Sequence, residues 1–76
     1  MKTRRGQGKM VGDTYLAKRE YEALTLLAQG MQNSEISKKM GNTINTTCSL
    51  IKIIFRKLDV HNRAGAGVAA AKAGLV

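Results

Sequence analysis

Asn45, Ser49, Lys52 and Arg56 recur every three or four residues within NTINTTCSLIKIIFRKLDV, residues 42–60. On a helix that spacing gathers four hydrogen-bonding side chains along one line. Asn and Arg side chains make paired hydrogen bonds to the edges of adenine and guanine, while Ser and Lys suit phosphates or either base. The line therefore has the chemistry to read a nucleic-acid groove, or else it faces water. Thr47, Ile51, Ile54 and Leu58 keep the same rhythm two residues out of step. Their stripe would hold the helix to a core while the polar stripe projects away from it.

The helix needs neighbours to hold it. Thr43 is a good N-cap, and the segment reads as a helix from about residue 44 to 57. Its β-branched content is high, but the adjacent pairs Leu50–Ile51 and Ile53–Ile54 break strand alternation. Before it, NSEISKKMGN predicts a helix over about 33–40, with Asn33 or Ser34 as its cap, Glu35 at the positive end of its dipole and Gly41 as its stop. Lys38 and Lys39 point to solvent. Further upstream, Leu16, Ala23, Leu24, Leu27 and Ala28 share a helical face that ends before Gly30. After the DVHN turn, RAGAGVAAAKAG forms a fourth, alanine-rich helix in which Gly65 and Gly67 weaken helix propensity. The sum is an all-α domain of four short helices over residues 15–76. The third follows the second after the short turn GNT, the outline of a helix-turn-helix.

Composition fits a polyanion partner. Thirteen Lys and Arg against five Asp and Glu leave a net charge of +8 on 76 residues, which suits DNA, RNA or an anionic surface. The charge is concentrated in residues 1–14, where Lys2, Arg4, Arg5 and Lys9 face only Asp13 among three glycines. That segment reads as a flexible basic arm able to add phosphate contacts. The single cysteine rules out an internal disulfide and leaves no set of ligands for a cysteine-based zinc site. His61 stands alone as a turn residue, so no metal or cofactor is expected. No apolar run approaches a membrane span, and no secretory signal is visible, which points to a cytoplasmic protein without membrane contact. Arg19 and Glu20 lack the convergent polar pocket of an enzyme. Glu20 reads instead as half of an internal ion pair with Arg63. Cys48 reads as a small groove-facing side chain.

The order L-x-x-R-E-x-x-x-L-x-L-L-A-Q-G, then E-I-S, then a capped helix ending R-K-L-D-V-x-N-R, then a small-residue helix ending G-L-V resembles the LuxR/FixJ-type (GerE-like) DNA-binding domain. The likeness runs from Leu16 to Val76. It implies a four-helix fold, a recognition helix at about 44–57, transcriptional control, and a dimer formed through the last helix. With only the arm ahead of it, the domain reads as a stand-alone version. Where the family usually has Thr-Val-Lys-x-His, this chain has Thr46, Thr47, Cys48, Ser49 and Leu50. The buried Thr47 hydroxyl then needs a partner, such as the carbonyl one turn back. Asn42 replaces a usually apolar turn residue, and Ala17 replaces the usual Thr cap of the first helix, with Asp13 or Thr14 as substitutes.

The candidate DNA contacts are Thr43, Asn45, Thr46, Ser49, Lys52, Arg56 and Lys57 on the recognition helix, Lys38 before it, and Arg4 and Arg5 in the arm. Small side chains at Ala66, Ala69, Ala70 and Ala73 would let two copies of the fourth helix approach closely, with Val68, Leu75 and Val76 around them. The expected function is sequence-specific transcriptional regulation by a homodimer on double-stranded DNA. The alternative is a protein that has lost DNA binding and pairs with, or masks, another LuxR-type regulator, using Leu50 and Ile53 as an apolar cover.

Overall fold

The computed structural model describes residues 8–74. Two short strands, β1 (Lys9–Val11) and β2 (Thr14–Leu16), precede four helices: α1 (Lys18–Ala28), α2 (Asn33–Met40), α3 (Ile44–Leu58) and α4 (Arg63–Lys72). The four-helix, dominantly α fold expected from the sequence is present, and the helix limits at 33–40 and 44–58 match the expectation almost residue for residue.

The hairpin corrects the arm. Residues 9–11 pair antiparallel with 14–16, in the register Lys9 to Leu16, Met10 to Tyr15 and Val11 to Thr14. Gly12 takes φ 64, a conformation that a two-residue hairpin turn needs and that glycine adopts without strain. Strand alternation turns Val11 and Leu16 into the core and leaves Met10 and Tyr15 outside. Leu16 thus closes the core from a strand and not from the first helix. The remainder of the expected arm, residues 1–7 with Arg4 and Arg5, lies outside the described residues.

The core is one cluster: Val11, Leu16, Ala23, Leu24, Leu27, Ile36, Ile51, Ile54, Ala66 and Ala70. α3 packs against both α1 and α2, and α4 lies chiefly along α1. Ala66 and Ala70 are fully buried. This corrects the dimer-face assignment, because neither has surface left for a second copy. Ala69 and Ala73 are half-buried against the same core. The exposed side of α4 is instead Ala64, Val68, Ala71 and Lys72. Of its two glycines, Gly65 is held small by packing, since a Cβ there would sit 3.2 Å from the Val60 Cβ.

Each helix start has its own solution to the unpaired N–H groups. The Thr43 Oγ1 accepts from the Thr46 N–H at 3.2 Å, as expected, and the Asn62 Oδ1 accepts from the Gly65 N–H at 2.8 Å. The starts of α1 and α2 differ from expectation. Their caps are Ala17 and Gln32, and a glutamate three residues on reaches back to accept from the cap N–H: Glu20 at 2.9 Å and Glu35 at 2.9 Å. The reach-back half of a capping box stands without a capping hydroxyl.

Glu20 also accepts two hydrogen bonds from the Lys57 Nζ, at 2.9 and 3.0 Å, tying α1 to the end of α3. Burial pushes the Glu20 carboxyl up, but the Lys57 hydrogen bond and charge together with the Ala17 N–H outweigh it and hold the group below its ordinary 4.5. A carboxylate whose folded pKa is depressed contributes stability at neutral pH that is lost as pH falls below 4.5 and through the folded value. Thermal melts across acid pH should therefore show a falling midpoint in the natural protein. Glu20→Gln should start about 0.5 kcal/mol less stable at neutral pH and lose less on acidification. Equal acid slopes in the two proteins would refute the role given to Glu20.

Candidate nucleic-acid interface

α3 is oriented by its apolar side. Thr47 and Ile54 are fully buried and Ile51 nearly so, which leaves Asn45, Ser49, Lys52 and Arg56 exposed on the opposite side. Among the described residues no side-chain hydrogen bond holds any of the four. Their line runs from the first turn to the last, roughly 16 Å at the rise of an α-helix. Thr46 and Ile53 flank it on one side, both exposed.

The turn ahead of α3 is fixed at three points. Gly41 takes φ 72, ending α2 in the left-handed conformation, and the Asn42 N–H donates to the Ser37 carbonyl at 2.8 Å. The Asn42 Oδ1 accepts from the Arg19 guanidinium, which ties the turn to α1. Thr43 then caps α3. Asn42 thus fastens the turn through its Oδ1, while its buried Nδ2 has no hydrogen-bond partner among the described residues.

Three residues have surroundings that the sequence did not suggest. Lys57 turns to Glu20, so its charge is engaged within the fold. Cys48 does not face the groove: it is half-buried on the α2 side of α3, where the Asn33 Nδ2 lies 3.3 Å from its Sγ. Arg63 does not meet Glu20. Its guanidinium donates to the Asn33 Oδ1 at 2.9 Å and to the Met31 carbonyl at 2.6 Å, clamping the entrance of α2 from the start of α4. The chain Arg63–Asn33–Cys48 thus links α4, α2 and α3, and spacing within any one helix gave no sign of it. Lys38 is exposed on α2, as expected.

Helices α2 and α3, their short turn, and a solvent-facing polar stripe on the second helix define a helix-turn-helix domain. Comparison with known families matches residues 14–70 to the bacterial regulatory proteins of the luxR family. The chain belongs to that family, as its sequence pattern had implied. Over 61 residues it is 44% identical to the transcriptional regulatory protein LiaR of Bacillus subtilis (strain 168), a stretch covering 80% of this chain and 29% of that protein. The chain therefore spans less than a third of the length of this curated relative.

One buried group in α3 lacks a hydrogen-bond partner among the described residues. The Thr47 Oγ1 has no hydrogen bond, and the expected bond to the carbonyl one turn back is not formed. An unpaired buried hydroxyl costs about 1–3 kcal/mol. Thr47→Val keeps the shape and removes that hydroxyl, so denaturant unfolding should show a gain of about 1 kcal/mol. A loss of stability would mean that the hydroxyl is satisfied after all.

Proposed function

We propose that the chain is the DNA-binding module of a transcriptional regulator, with α3 in the major groove of double-stranded DNA. The observation that carries this reading is the line Asn45, Ser49, Lys52 and Arg56, exposed and uncommitted opposite the buried side of α3. Asn45, Thr46 and Ser49 sit in the N-terminal half of α3, the part that helix-turn-helix proteins present to base edges. Lys52 and Arg56 follow on the same line, and Lys38, Thr43 and the basic residues Arg4 and Arg5 are the further residues assigned to phosphate contacts. The net charge of +8 supports the same partner. The masking alternative loses ground, because Leu50 packs against the core and leaves Ile53 as the exposed half of its proposed cover.

Affinity and its salt dependence test the placement. Each phosphate neutralised contributes about 0.9 to the slope of log K against log salt. Lys52→Ala should weaken binding to all sequences and flatten that slope by about one unit. Arg56→Ala should do the same, or relax preference at one base pair. Unchanged affinity in both variants would remove α3 from the groove.

Two copies joined through α4 complete the reading, now by its exposed side. Val68 is 55% exposed and flanked by Ala64, Ala71 and Lys72. A two-fold pair would set two α3 helices about one DNA turn apart, roughly 34–36 Å, on a near-palindromic site. Val68→Glu should leave the fold intact, abolish self-association in sedimentation, and reduce binding to a two-half-site duplex far more than to a single half-site. A variant that binds both duplexes as the natural protein does places the contact elsewhere.

A further inference from the structure

An open groove of about 380 Å³ lies between α1 and the end of α2, lined by Tyr21, Glu22, Thr25, Leu26, Lys39 and Met40. Its floor is largely apolar: Tyr21, Leu26 and Met40 are half-buried there, and Thr25 commits its hydroxyl to the Tyr21 carbonyl at 2.8 Å. Its surroundings are basic. The Lys9 ammonium stands 5.5 Å from the centre of the Tyr21 ring. Lys39 lines the opposite side, and Lys18 lies one turn before Glu22 on the same line of α1, where it offsets that carboxylate. Ala23, Leu24 and Leu27 turn the other side of α1 into the core. The groove thus lies over the outer edge of the core, and it shares no residue with the polar stripe of α3.

We propose that this groove receives an acidic amphipathic helix of a partner protein. Its apolar side chains would lie between Tyr21, Leu26 and Met40, and its carboxylates would meet Lys9 and Lys39. With Glu22 offset by Lys18, an apolar trough bordered by Lys9 and Lys39 is complementary to that ligand and repels a basic one. The groove and the α3 stripe share no residue, so this contact does not rest on the DNA reading.

The test uses the protein without DNA. The probe is a bridged synthetic helix of about 15 residues with leucines at i, i+3, i+4 and i+7 and glutamates beside them. Its control carries lysines in place of the glutamates. Titration followed by backbone amide NMR should shift Tyr21, Glu22, Thr25, Leu26 and Met40 with the acidic helix only. Lys9→Glu combined with Lys39→Glu should weaken that binding about tenfold and confer binding of the lysine helix, an exchange that a merely structural change would not produce. Equal binding of both helices to the natural protein would overturn the proposal. So would shifts centred on Asn45, Ser49 and Lys52, which would mean that the acidic helix mimics nucleic acid on the stripe. The absence of any shift at about 1 mM peptide, an affinity weaker than about −4 kcal/mol, would overturn it too.

Discussion

The rotation of α3 about its own axis is the constraint on which the rest depends. A turn of the helix by one residue, about 100°, would carry Lys52 into the buried place of Ile51. Thr47, Ile51 and Ile54 prevent it by filling the space between α1 and α2, with Leu58 half-buried beyond them. The flanks add direction. On one side Asn33 reaches Cys48, and on the other Glu20 holds Lys57. A helix held by packing below and by hydrogen bonds on both flanks presents its remaining residues in one fixed array. The unpaired Thr47 hydroxyl in the middle of the packed stripe shows that this array tolerates a local cost.

The helices were legible in the sequence because their signals are local. Apolar spacing marked α1, α2 and α3, and Gly30, Gly41 and Thr43 marked their ends by backbone chemistry that acts within a few residues. The polar stripe of α3 was legible for the same reason, as the complement of its apolar stripe. The hairpin was not. Two three-residue strands are too short for alternation to stand out, and the basic residues around Val11 hid the one side chain that anchors β1.

The cross-links were the least legible part. Arg63, Glu20, Lys57 and Asn33 have long or branching polar side chains with several partners in reach, and sequence spacing does not say which helix end comes near. Arg63 was expected at Glu20 and is found at Met31 and Asn33, while Lys57 holds Glu20. In α4 the difficulty was different. A helix made of alanine and glycine has little amphipathic contrast, so its inward and outward sides read alike. The structure separates them: Ala66 and Ala70 go inside, and Val68 stays outside.

That division of α4 has an evolutionary reading. Ala23 on α1 and Ala66 and Ala70 on α4 are fully buried, and α1 and α4 pack along each other; close-packed interiors leave little room at such positions for anything larger. The inward positions must be inherited almost unchanged. Ala64, Val68 and Ala71 are exposed, so drift at these positions costs the fold less. If copies pair through α4 as proposed, a lineage of such domains can diversify which copies recognise one another, and insulate duplicated genes from cross-pairing, while the buried side of the helix stays as it is.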